Sequence, residues 1–181
     1  MKIKLKKINV MIPVMIMCLL LFFSETMADD IQINITGEIY DAPCKINNDI
    51  NFEIDFGKIP VQEIDGKKFK QTKMVEIECI NNSGKPYISL TSSTGTLGEN
   101  ILNTTGINAS SLGIALYQGD SVDSSYPLKV NLGMDEIKKG LSMLNIQQGY
   151  FTFTAVPYKN GNAALAVGIF NATVTMSIFY V

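Results

Sequence analysis

From Gly168 to Val181 the chain reads GIFNATVTMSIFYV, with Phe170, Ala172, Val174, Met176, Ile178 and Tyr180 apolar at every second position and Asn171, Thr173, Thr175 and Ser177 between them. This is the period of a half-buried β-strand. The same period recurs upstream. Ile31, Ile33, Ile35 and Ile39 alternate with polar residues, with Gly37 in register; Ile50, Phe52, Ile54 and Phe56 alternate up to Gly57; Val75, Ile77 and Cys79 alternate with Glu76 and Glu78. Further strands are predicted over PYISLTSS from Pro86, LGIALYQG from Leu112, PLKVNLG from Pro127 and YFTFTAVPY from Tyr150, separated by Gly, Asn and Ser. One segment departs from this rule. Met134, Ile137, Leu141 and Leu144 fall at helical spacing, but Gly140 sits among them, so a loop or a single helical turn fits as well as a helix. Many short strands with no internal repeat or linker predict a single β-sandwich of the immunoglobulin type.

The N-terminus sets the compartment. Lys2, Lys4, Lys6 and Lys7 precede an apolar run from Val10 to Phe23, followed by small residues at Thr26 and Ala28. That is the pattern of a secretory signal peptide over residues 1–28, with cleavage after Ala28. The run is short for a membrane span and no later stretch approaches about 20 apolar residues, so no membrane insertion is expected of the mature chain. Cys18 leaves with the signal. Cys44 and Cys79 then remain as an even pair in an exported chain, which favours a disulfide over a metal site or a nucleophile.

Charge and chemistry narrow the function by what they lack. Loss of Lys2, Lys4, Lys6, Lys7 and Glu25 takes 15 cationic and 17 acidic side chains to 11 and 16, a formal net charge of −5. Mild acidity without a basic cluster argues against nucleic acid as a partner. DGKKFK, from Asp65 to Lys70, is the densest basic spot and reads as a solvated loop. The chain has no histidine, which removes Ser/His and Cys/His pairs and the commonest metal ligand. The acids of IDFG (from Ile54) and GMDE (from Gly133) sit beside turns and read as ordinary surface. No phosphate-cradling glycine loop occurs, and no cofactor or catalytic residue is expected. The five Asn-X-Ser/Thr triplets read as chance in a chain rich in Asn and Thr.

Both ends of the mature chain share one peculiarity. The first alternating stretch lies ahead of Cys44 with nothing to hold it in a hairpin, and the last has no later strand to pair its edge. A domain with one strand missing and one to spare is completed by a neighbour, and the resulting head-to-tail contact propagates as an open fibre.

GEIYDAPCKI from Gly37 to Ile46, VEIECI around Cys79, LGIALY from Leu112 and the terminal GIFNATVTMSIFYV resemble the subunits of pili assembled by the chaperone–usher pathway. Gly168, fourteenth from the C-terminus, and the penultimate Tyr180 are the most specific marks. The similarity spans the mature chain, and IQINITGEIY, GIALYQG and FTFTAVPYKNG are most like the minor tip adaptors of P-type pili. The resemblance implies an all-β, incomplete immunoglobulin-like sandwich lacking its C-terminal, seventh strand and completed by donor-strand complementation. It implies residues 29–36 as a donor-strand extension, residues 37–181 as the pilin domain, and Ile31, Ile33, Ile35, Gly37 and Ile39 as the donor strand. Gly168, Phe170, Ala172, Val174, Met176, Ile178 and Tyr180 become the acceptor groove and chaperone contact. Implied partners are a periplasmic chaperone, the outer-membrane usher and neighbouring subunits, including a tip adhesin. The implied destination is the fimbrium at the bacterial surface. A rod-forming major subunit usually carries a longer N-terminal arm, a tip adhesin needs an extra receptor-binding domain, and a secreted β-sandwich enzyme needs catalytic groups not found here.

Overall fold

The computed structural model describes residues 31–40, 42–80 and 82–181. Residues 1–30, with the expected signal peptide, its cleavage site and the start of the expected extension, lie outside the described residues. Tyr40–Val181 forms one compact unit. Residues 31–39, ahead of it, carry no ladder pairing.

Among the described residues, ten strands build the compact unit: β1 (Lys45–Ile46), β2 (Gln71–Glu78), β3 (Pro86–Thr91), β4 (Thr96–Gly98), β5 (Ile101–Asn103), β6 (Leu112–Gln118), β7 (Met134–Glu136), β8 (Leu141–Met143), β9 (Gln148–Lys159) and β10 (Thr175–Tyr180). The larger sheet runs β1-β2-β9-β6-β5-β4, and the smaller runs β10-β3-β7. All of these strand pairs are antiparallel. The long β9 organises the larger sheet. It pairs with β2 along one edge, and β8 and β6 follow one another along the other.

Alternation decides which faces meet. Val75 and Ile77 of β2 are buried while Glu76 and Glu78 are exposed, as expected of a strand with one apolar face. Phe151 and Phe153 of β9 and Ile114 and Leu116 of β6 join them, and Ile88, Leu90, Ile178 and Tyr180 close the core from the smaller sheet. Cys44 and Cys79 are bonded, as their pairing in the sequence suggested. Closing the 35-residue separation contributes about 3 to 5 kcal/mol by loop-closure entropy.

Four sequence expectations are corrected. The helical spacing of Met134, Ile137, Leu141 and Leu144 resolves into β7 and β8, because Gly140 between them takes φ +86° and a Cβ there would lie 2.3 Å from the Thr152 carbonyl oxygen. Ile50–Phe56 is not a strand: it follows a left-handed turn at Asn47, Asn48 and Asp49 and runs without a ladder partner. The stretch from Pro127 crosses between the sheets. Leu128 donates its amide to Leu116 and Val130 to Glu99, so only isolated bridges form although both side chains are buried. Finally, the last strand begins at Thr175, not Gly168, because its partner β3 ends opposite it at Thr91.

The loop and surface readings hold. Asp65 accepts the amides of Lys67 and Lys68 at 2.8 and 2.7 Å, a turn in which the Lys68 and Lys67 amides draw its carboxyl below the ordinary range. Asp55 accepts the Gly57 amide in another turn. Asp135 and Glu136 pair with Lys129 and Lys85 instead of with each other.

Candidate functional site: an open sheet edge

The final alternating stretch divides its side chains between core and solvent. Phe170, Ala172, Val174 and Met176 are partly buried and pack on the core, Ile178 and Tyr180 are buried in it, and Asn171, Thr173 and Thr175 are exposed. Gly168 is exposed beside Ile107. The Tyr180 hydroxyl lies 3.5 Å from Met143 Sδ, and burial pushes its phenol above the usual range.

One edge of this stretch is held and the other is not. On the held side β10 pairs with β3 from Thr175 to Tyr180. Where the ladder stops, side chains and a loop take over. Ser92 Oγ donates to the Thr173 carbonyl (2.8 Å), the Thr105 amide donates to the Asn171 carbonyl (2.7 Å), and Asn108 both donates to and accepts from Ala166 (2.8 and 2.9 Å). On the other side, among the described residues, the edge carries one isolated bridge, in which the Cys44 amide donates to the Ile178 carbonyl at 2.8 Å. From Phe170 to Met176 that side has no strand partner among the described residues. An unpaired edge along half-buried apolar side chains is a template for one more strand.

The segment from Ile50 borders the same opening. Phe52 sits 6.2 Å from Phe153 of β9, and Phe56 sits 6.3 Å from Phe170, ring centre to ring centre. Ile54 and Phe56 pack on the core beside the last alternating stretch. The alternation that predicts a strand here reflects one side resting on apolar surface. The tethers at Ser92, Thr105 and Asn108 left no readable signal, being polar loop residues whose partners lie 58 or more residues away.

The expected donor residues stand apart from any ladder. Ile31, Ile33, Ile35 and Ile39 are 85, 78, 91 and 103% exposed, and a Cβ added at Gly37 would meet nothing within 4 Å. Exposing four isoleucines forgoes roughly 1.5 to 3 kcal/mol each, which marks this surface as unfinished. Among the described residues no cluster of His, Cys, Asp and Glu is arranged to hold a metal ion, and no helix is long and apolar enough to cross a membrane.

The family model described as "Fimbrial protein" matches residues 33–181. The chain belongs to the fimbrial protein family. Among relatives, it is 38% identical over 161 residues to the minor fimbrial protein PrsF of Escherichia coli, covering 89% of this chain and 94% of that one. It has the same identity and coverage with the fimbrial adapter PapF of Escherichia coli. Among solved structures, that of the P pilus adaptor subunit PapF superposes with a TM-score of 0.52 at 34% identity, covering 79% of this chain and 99% of that one. The P pilus rod subunit PapA, at 18% identity and a TM-score of 0.56, covers 77% of this chain and 99% of its own, a likeness of fold. The fimbrial fold is the all-β, incomplete immunoglobulin-like sandwich, and among the described residues the edge from Phe170 to Met176 has no strand partner on one side.

Proposed function

We propose that the protein is a minor pilus subunit of the adaptor type, joining a tip adhesin to the fimbrial shaft or tip fibrillum by donor-strand exchange. The observation that carries this is the pairing of opposites within one chain: among the described residues, an apolar edge from Phe170 to Met176 without a strand partner on one side, and an isoleucine-alternating stretch from Ile31 to Ile39 without a sheet. Strand addition satisfies both, since ladder hydrogen bonds supply affinity and alternate side chains supply fit. Similarity to PapF and PrsF favours the adaptor role over a rod-forming one. In this reading residues 29–36 are the extension and 37–181 the pilin domain, and the start of the compact unit at Tyr40 supports a donor stretch running through Ile39. Gly168, Phe170, Ala172, Val174, Met176, Ile178 and Tyr180 form the groove edge, which a periplasmic chaperone covers first and a neighbouring subunit's strand covers after transfer at the outer-membrane usher. The role is structural and the protein ends in the fimbrium at the bacterial surface.

Expression of the exported chain with and without its chaperone tests this. Alone it is expected to aggregate or be degraded, and with the chaperone it is expected to purify as a soluble one-to-one complex, because a ligand that binds only the folded state stabilises it by mass action. A chaperone-free monomer that unfolds cooperatively would overturn the reading.

A further inference from the structure

Beside the start of the open edge, three large apolar side chains are exposed to solvent on two neighbouring segments. Ile107, Val167 and Ile169 are 72, 90 and 84% exposed. Single exposed apolar residues are ordinary, but these three come from two segments that are fastened to each other. Buried Asn108 grips the Ala166 backbone in both directions, and the Thr105 amide donates to Asn171. Gly106, at φ +94°, brings the loop so close that a Cβ there would lie 2.5 Å from the Ile169 carbonyl oxygen. Gly168 performs the same service opposite Ile107, whose Cγ2 would lie 3.0 Å from a Cβ at that position. The result is an apolar knob held on a braced loop, and a contact surface already ordered loses little entropy on binding.

The direction of strand addition says what meets it. All the strand pairs of both sheets are antiparallel, so a strand continuing the smaller sheet along β10 runs against it. Such a strand starts beside Tyr180 and leaves beside Phe170. In a neighbour built like this chain, five residue steps separate Ile39, the last donor position, from Cys44 in the body, a reach of at most about 18 Å. The neighbour's body is therefore delivered to the Phe170 end of the groove, where the knob stands.

We propose that Ile107, Val167 and Ile169 form a second contact, made with the body of the subunit that donates its strand. The inference rests on the strand-exchange reading above. The knob stands at the Phe170 end of the unpaired edge, on side chains that are exposed and do not pack on the core, so it adds to the strand as a weaker contact that sets how one subunit leans on the next.

Side-chain footprinting by hydroxyl radicals, read residue by residue, separates this contact from the groove. The probes are the chaperone complex and intact fimbriae carrying the protein. Met176, in the groove, is expected to be protected in both. Ile107, Val167 and Ile169 are expected to be labelled in the chaperone complex and protected several-fold in fimbriae. A knob equally labelled in both, with Met176 protected, overturns the contact and leaves strand exchange standing; Met176 labelled in fimbriae overturns strand exchange itself. Protection of the knob in the chaperone complex, or protection of Ile80 and Ile146 at the Tyr180 end in its place, also overturns the proposal. The variant I107S/V167S/I169S is expected to give normal chaperone complex but about tenfold less incorporation into fimbriae; undiminished incorporation counts against the contact.

Discussion

Replacing Val174 by aspartate is expected to abolish recovery of the protein with its chaperone. Val174 is half-buried on the core side of the last stretch, at the centre of the run from Phe170 to Ile178. A strand laid along this edge covers it, so an ionised carboxylate there loses its water without gaining a partner. That costs about 3 kcal/mol or more, on the order of a hundredfold in complex. Thr173→Asp is the matched control. Its side chain is exposed, and the bond its backbone receives from Ser92 survives the exchange. Periplasmic yields of the two variants, each coexpressed with the chaperone, provide the measurement. Normal complex from V174D would show that this side of the stretch does not line the groove.

Deleting Asp29 to Ile35 is expected to have the opposite pattern: chaperone binding retained and attachment to the adhesin side of the tip lost. The described part of this segment pairs with no strand and exposes Ile31, Ile33 and Ile35, so its removal takes nothing from the core. In the neighbour's groove those three side chains contribute roughly 5 to 9 kcal/mol before entropy is counted, more than a thousandfold in stability of the joint. Yield of the chaperone complex and presence of adhesin on sheared fimbriae are the two readouts. Loss of both together would assign the segment to the subunit's own fold.

The sequence showed where a side chain meets apolar surface more clearly than where a backbone finds a partner. In β2, alternation of Val75 and Ile77 with Glu76 and Glu78 coincides with a ladder, so strand and burial were legible together. In Ile54–Phe56 and Phe170–Val174 the same alternation marks packing on the core alone, and the hydrogen-bonding partner is absent or replaced by tethers. The short strands β4 and β5 were missed because three residues carry too little period, and β7 and β8 were hidden because the apolar spacing across Gly140 mimics a helix turn. The core-facing positions of the last stretch were thus readable from pattern. The loop that braces them, from Thr104 to Ser111, was not, since its contacts join positions distant in sequence.

The Cys44–Cys79 bond lies where, in an assembly of the proposed kind, mechanical load passes through the subunit. Tension arrives along the chain from Ile39 and departs through the strand held against β10, and Cys44 is tied covalently to Cys79 after β2 and by its amide to Ile178 of β10. The pull therefore crosses from one terminus of the body to the other with little of the sandwich in its path. Residues between the two cysteines are excluded from stretching altogether. With 35 residue steps bypassed at about 3.4 Å each, the oxidised subunit withholds on the order of 120 Å of extensible length, the difference a force–extension trace would show on reduction.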